Sequence, residues 1–276
     1  MHRDRGTHRA GPPWRWSRHD LATAQRDAHR RRSPGTGRVC GATNLNVRGR
    51  GLELQDVQRN YDAAAAYYDV ATDLVFHRLL GLRRWRRRMV DVLGDINGAT
   101  VLDVGCGTGN NFPLLAPRVG STGGIIGVDY SPGMLAKARQ RIERAGWRNI
   151  ELIRDDAARL EQVKDPADAT VSAWCLGIVH DLPAALDRLL NATRAGGSVA
   201  IMDFVKSQPD HGPLKPLYPL YRRLLIAAGI DAPEDLDNER LAERWQEGRA
   251  SLCAQLENMT EEPYLWGAGL QMHGCR

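Results

Sequence analysis

The sequence predicts an α/β fold built on an open, mostly parallel sheet. Short apolar runs recur and end in aspartate, at Val101–Asp103, Ile125–Asp129 and Leu152–Asp156. Helix-start signals follow these runs, which gives the alternation of strand and helix that parallel sheets require. The first run opens into a loop with glycine at 105, 107 and 109. Glycine takes positive φ and has no Cβ, so such a loop lets a ligand come close to the main chain.

The first element, Val101–Asn111, reads VLDVGCGTGNN. Asp103 falls at the carboxyl edge of the strand, where open α/β sheets bind ligands. A helix starting near Asn111 would turn its free N–H groups toward the same place. A dinucleotide loop reads G-x-G-x-x-G, and Asn110 stands where its last glycine belongs. The pattern here is G-x-G-x-G, which disfavours a nicotinamide-dependent oxidoreductase.

The second element, Gly124–Leu135, reads GIIGVDYSPGML. Its strand ends at Asp129, 26 residues after Asp103, close to the spacing of a ribose-binding acid in a βαβ unit. A carboxylate there can accept hydrogen bonds from both ribose hydroxyls. Ser131 reads as an N-cap with Pro132 at the first helical position. In the third element, Leu152 and Ile153 precede Asp155, Asp156 and Ala157. Either acid can face a ligand, and the pair also reads as a solvated turn. The fourth, Asp168–Ile178, is a strand ending near Trp174–Cys175, followed by Val179, His180 and Asp181. A helix over Leu182–Thr193, a turn at Arg194–Gly197 and a strand over Ser198–Phe204 complete the core.

Beyond Phe204, prolines at 209, 213, 216 and 219 break the chain. An apolar helix over Leu220–Ala228, a polar helix near Glu234–Leu256 and a closing strand over Tyr264–Gly274 are expected. Gly267 and Gly269 would let that strand bend. The proline-rich segment, with Tyr218 and Tyr221, reads as a lid or as a plain surface connection.

Four such elements in this order resemble the class I S-adenosyl-L-methionine (SAM)-dependent methyltransferases, whose first motif reads like VLDVGCGTG. Between the tail and the glycine loop, Val57–Leu93, containing RNYDAAAAYYDVATDLVFHRLLG, resembles the N-terminal cap of the ubiquinone/menaquinone biosynthesis C-methyltransferases and of the bacterial phospholipid N-methyltransferases. The resemblance implies a Rossmann-like seven-stranded, mostly parallel sheet with helices on both faces, a last strand that is antiparallel and an N-terminal helical cap. It implies SAM as cofactor, held by Asp103, Gly105, Cys106, Gly107, Gly109 and Asp129. Tyr130 and Met134 would pack on the adenine, Asp156 would receive its amino group, and the Ala157 N–H its ring nitrogen. Trp174 and Cys175 would lie beside the sulfonium and the acceptor. Tyr61 and Tyr68 are the candidates to close over the cofactor from the N-terminal cap.

A sulfonium methyl is already electrophilic, so alignment and exclusion of water are the main tasks. His180 is the titratable residue near the fourth strand's end that could take a proton from a hydroxyl acceptor; it reads equally as a capping or surface histidine. The expected acceptor is small or lipid-like: a quinone precursor, a phospholipid headgroup or a secondary metabolite. A non-catalytic SAM-binding module and an RNA or DNA methyltransferase are the alternatives. The lack of an NPPY-type motif at Trp174–Gly177 counts against methylation of base amino groups.

The net charge of +5 hides two unlike parts. Residues 1–50 carry 12 Arg and no Lys against 3 Asp and no Glu, and the rest carries 26 basic and 30 acidic residues. A nucleic-acid role would therefore have to reside in the tail, and a nucleic-acid partner is not expected. Residues 1–51 have few aliphatic side chains and read as a disordered arginine-rich tail. They are open to reading as an RNA-binding arm, a transit peptide, or upstream sequence carried by an early start. Residues 52–276 read as one methyltransferase domain: a helical cap over 52–98, a SAM-binding core over 99–204, and acceptor-side helices with a closing strand over 205–276.

No apolar run approaches the ~20 residues of a membrane-spanning helix. Arg83, Arg84, Arg86, Arg87 and Arg88 surround Trp85; the run reads as a solvated helix face or as a peripheral contact with anionic lipid. The five cysteines are scattered without a C-x-x-C pair, so neither a metal site nor a disulfide framework is expected, and a reducing cytoplasm fits. Nothing in the sequence sets the oligomeric state.

Overall fold

A computed structural model describes residues 81–206, 208–212, 215–216 and 238–276. Tyr61, Tyr68, Tyr218, Tyr221, the tail, the helix expected over Leu220–Ala228 and most of the N-terminal cap lie outside the described residues.

The described chain runs α1 (Leu82–Asp91), β1 (Thr100–Val104), α2 (Phe112–Val119), β2 (Gly124–Asp129), α3 (Pro132–Ala145), β3 (Ile150–Arg154) and β4 (Ala167–Ala173). After a 3-10 turn at Leu176–Ile178 come α4 (Leu182–Asn191), β5 (Thr193–Phe204), α5 (Asn238–Gln255), β6 (Glu257–Tyr264) and β7 (Gly269–Cys275). The seven strands form one sheet in the order β3-β2-β1-β4-β5-β7-β6. The first five are parallel, and β7 runs antiparallel to both β5 and β6. The chain leaves β1 in opposite directions along the sheet, through β2 on one side and β4 on the other. That reversal opens a crevice at the carboxyl edge of β1.

Side chains alternate across a strand, and β1 shows it: Leu102 and Val104 join one apolar cluster while Val101 joins the other. Helices α4 and α5 cover the first face, with Leu186, Leu189 and Trp245 fully buried. Helices α1, α2 and α3 cover the second through Met89, Phe112 and Ala138. Ser131 caps α3 as expected: its side chain accepts from the Met134 N–H at 3.1 Å.

The region after residue 190 differs from the sequence expectation in two ways. Helix α4 ends at Asn191 because Thr193 already belongs to β5, pairing with Ala167. Its buried hydroxyl bonds Thr170 Oγ1 at 2.7 Å and donates to Leu189 O at 2.9 Å. Arg194–Gly197 is accordingly a bulge within a long strand: Ala167 pairs with Thr193 and Ala169 with Ser198. The expected closing strand over Tyr264–Gly274 is instead the end of β6, a turn at Leu265–Gly267 and β7. Leu265, Trp266 and Gly267 all have positive φ, which reverses the chain. Strand β6 reads ENMTEEPY; its charges and proline suit an edge strand and hide it from a search for apolar runs.

Candidate functional site

The site is built on the glycine loop. The N–H groups of Gly105 and Cys106 both donate to Val128 O, at 2.8 and 2.9 Å, which ties the loop to the end of β2. Gly105 has φ +71, and a Cβ placed there would stand 2.1 Å from Cys175 Sγ. This residue must be glycine for the loop to pass the end of β4. Gly107 has φ +56 and faces open space, and its N–H donates to Asp129 Oδ2 at 2.8 Å.

Around this loop lies a cleft. Its walls are Gly105, Cys106, Gly107, Thr108 and Asn110 from the loop, Asp129, Tyr130, Ser131 and Met134 after β2, and Asp155, Asp156 and Ala157 after β3. The far wall is Trp174, Cys175, Ile178, Val179 and His180 after β4, together with Arg86 from α1. The structure thus brings together eleven residues expected from the sequence: Gly105, Cys106, Gly107, Asp129, Tyr130, Met134, Asp156, Ala157, Trp174, Cys175 and His180. Asp103 and Gly109 lie behind the wall. Asp103 is fully buried and accepts from Asn111 Nδ2 at 2.8 Å, so it braces the loop from below. A Cβ on Gly109 would meet the Phe112 ring at 2.5 Å.

Asp129 uses both oxygens on main chain, Oδ2 from Gly107 and Oδ1 from the Ser131 N–H at 2.9 Å. These two bonds fix the carboxylate beside the open main chain of Gly107. The Asp155–Asp156 pair divides its work. Asp155 closes the local turn, accepting from the N–H groups of Asp156 and Gln162 at 2.8 Å each. Asp156 accepts from the Ala158 N–H at 2.9 Å through Oδ1, and its buried Oδ2 has no hydrogen-bond partner. A buried acceptor of this kind is costly until a donor arrives, so Asp156 is the acid disposed toward a ligand.

Sequence reasoning missed much of the β4 side. Arg86 is buried, donates through Nη1 to Asn111 Oδ1 and lies 4.5 Å from the Trp174 ring centroid. The basic run is therefore not one solvated face. The signal was present: Leu82, Arg86, Met89 and Val90 recur at helical spacing and form the buried stripe of α1. Trp174 has φ +54, and its indole N–H donates to Tyr264 Oη at 2.7 Å. Tyr264 also packs against Trp85 at 5.3 Å between ring centroids.

Asp203 is a second buried acid. It accepts from the N–H groups of Gly177 at 3.0 Å and Phe204 at 2.8 Å, and burial pushes its carboxyl up to about 7. Above the same turn, Arg244 donates to the carbonyls of Gly177 and Val179. The Leu176–Ile178 turn is thus fixed from two sides, which sets the positions of Ile178 and His180, both exposed at the cleft mouth. Burial likewise raises Asp103 to about 7, and it holds the thiols of Cys106 and Cys175 protonated. Among the described residues no group of three or more His, Cys, Asp or Glu could hold a metal ion. No helix among them is long and apolar enough to cross a membrane.

Strand order, glycine loop and the acid after β2 together define a Rossmann-like methyltransferase fold. The chain belongs to the ubiE/COQ5 methyltransferase family, whose profile matches residues 50–240. It is 31% identical over 166 residues to the demethylmenaquinone methyltransferase of Renibacterium salmoninarum, covering 60% of this chain and 65% of that protein. It is 33% identical over 155 residues to the 2-phytyl-1,4-naphtoquinone methyltransferase of Thermosynechococcus vestitus, covering 56% and 67%. The aligned segment thus spans about two thirds of the length of these curated relatives. Among solved structures, a SAM-dependent methyltransferase from Aquifex aeolicus shares the fold with a TM-score of 0.54 at 20% identity, over 76% of this chain and 97% of that one.

The cleft fits the cofactor of such a family. The open main chain at Gly107, the Asp129 carboxylate beside it and the unpartnered oxygen of Asp156 suit a ligand that brings hydroxyl and amino donors. SAM carries these on its ribose and adenine.

Proposed function

We propose that this chain transfers a methyl group from SAM to a small quinone-type acceptor. Its match to the ubiE/COQ5 family over residues 50–240 carries the proposal, and the cleft geometry supports it. Asp129 takes the ribose hydroxyls, Asp156 the adenine amino group and the Ala157 N–H a ring nitrogen. Tyr130 and the buried Met134 flank the base. Asp103 and Gly109 act indirectly, through the shape of the loop. In this reading the domain is residues 52–276, with Tyr61 and Tyr68 in its cap.

When bound, SAM supplies an electrophilic methyl on a sulfonium. The protein aligns the acceptor and keeps water out. Trp174, Ile178 and Val179 give the β4-side wall its apolar part and suit a planar apolar ring. In this reading His180, exposed at the mouth, takes the proton of a phenolic hydroxyl of the acceptor. The exposed Arg84 and Arg87 can meet an anionic lipid surface, whereas buried Arg86 cannot.

Calorimetry with SAM and its demethylated product, followed by assay with labelled SAM and demethylmenaquinone chemically reduced to its quinol, tests the function. Micromolar cofactor binding and label in the quinone ring are expected. Binding without transfer to any quinone or lipid extract would remove the catalytic reading. Flotation with anionic vesicles at low salt tests the surface contact, and no flotation excludes it.

A further inference from the structure

The cleft has a charge polarity that follows from strand order. Asp155 and Asp156 stand after β3, Asp129 ends β2, the glycine loop follows β1, and Trp174 follows β4. Strands lie about 4.8 Å apart, so the β4 side is roughly 10 Å from Asp129. On that side stands Arg86, only 7% exposed yet lining the cleft. The basic side chains of the cleft wall among the described residues are Arg86 and His180. His180 is exposed at the mouth, so Arg86 is the interior cation.

The guanidinium is held in a fixed attitude. Its Nη1 donates to Asn111 Oδ1, and Asn111 Nδ2 donates to Asp103 Oδ1 at 2.8 Å. The Trp174 ring lies 4.5 Å from its central carbon. This arrangement orients the cation and shields it from water, which strengthens its attraction for an anion.

We propose that Arg86 binds the α-carboxylate of the amino-acid portion of SAM, so that helix α1 supplies part of the cofactor site. The inference rests on the SAM reading given above. SAM is itself polar in this sense: the adenosine end offers hydrogen-bond donors, and the methionine end carries a carboxylate. Donors toward β2 and β3 meet Asp129 and Asp156, and the carboxylate then falls toward β4 and Arg86. The reverse orientation would set the carboxylate against three acids. A guanidinium pairs with a carboxylate through parallel N–H···O bonds, and a side chain already held by Asn111 loses little freedom on binding.

The test uses calorimetry on the full chain with two ligands. One is S-adenosylhomocysteine, and the other is its decarboxylated counterpart, which keeps the adenosine, the sulfur and the amine. The wild-type protein should bind the first roughly ten- to a hundredfold more tightly, as a charge-assisted hydrogen-bond pair implies. In Arg86→Met the two should bind within about threefold of each other. Arg86→Lys should fall between, because lysine keeps the charge and loses the fork. A structural role alone would weaken both ligands equally and preserve their ratio, so an unchanged ratio in Arg86→Met overturns the proposal. Equal binding of both ligands by the wild type overturns it without any variant, while leaving the SAM reading intact. If the wild type binds neither, the SAM reading falls and the proposal with it.

Discussion

Replacing Gly105 with alanine isolates the contact on which the loop depends. The new Cβ would stand 2.1 Å from Cys175 Sγ and 2.3 Å from Cys175 Cβ, while Cys175 Cα stays at 3.8 Å. The residue also has φ +71, and a left-handed alanine costs about 1–2 kcal/mol. Overpacking adds about 1–3 kcal/mol, so Gly105→Ala should lose roughly 2–5 kcal/mol of stability. That corresponds to a fall in Tm of roughly 4–20 °C for a domain of this size. Gly107→Ala is the control for backbone strain, since it has φ +56 and a Cβ there meets nothing within 4 Å. It should lose only about 1–2 kcal/mol. Cys175→Gly removes both clashing atoms. The double variant Gly105→Ala/Cys175→Gly should therefore be more stable than the sum of its singles by about 1–3 kcal/mol. Denaturant titration of the four proteins measures this coupling. Additive losses would refute the reasoning, because the steric origin of the glycine would then be wrong.

Asp129→Asn replaces an acceptor oxygen with a donor, and SAM affinity should fall roughly ten- to a hundredfold by calorimetry; an unchanged Kd would remove the ribose contact. Ser131→Ala deletes the cap on the Met134 N–H and should cost about 1 kcal/mol by denaturant titration. Asp103 and Asp203 stand at about 7, raised by burial from an ordinary 3.8. Between these values the folded state binds more protons than the unfolded chain, so their contribution is full below 3.8 and is lost as pH rises to about 7. Tm should therefore rise on acidification from about pH 8 to about pH 6, and Asp203→Asn should flatten that slope.

The legible part of the site was the part written in consecutive residues. The glycine loop with Asp129, the Ser131–Pro132 helix start and the acid pair at 155–156 each state their conformation locally, through φ preference, capping or spacing. The missed parts depend on partners far along the chain. Arg86 meets Asn111 across 25 residues, Trp174 meets Tyr264 across 90, and Arg244 meets the 177–179 turn across more than 60. Strand β6 went unseen because an edge strand can be polar, and polarity is what a search for buried strands rejects.

The sequence by itself determined the order of strand and helix, the need for glycine in the loop and the acids at the ends of β2 and β3. Backbone sterics and hydrophobic period act over a few residues, so a few residues suffice to show them. Tertiary structure alone decided which acid of the 155–156 pair keeps an unpartnered oxygen, which of five arginines is buried, and how the wall after β4 is fixed. Those outcomes depend on burial, and burial of a polar group is settled only when distant segments pack and leave it either a partner or water.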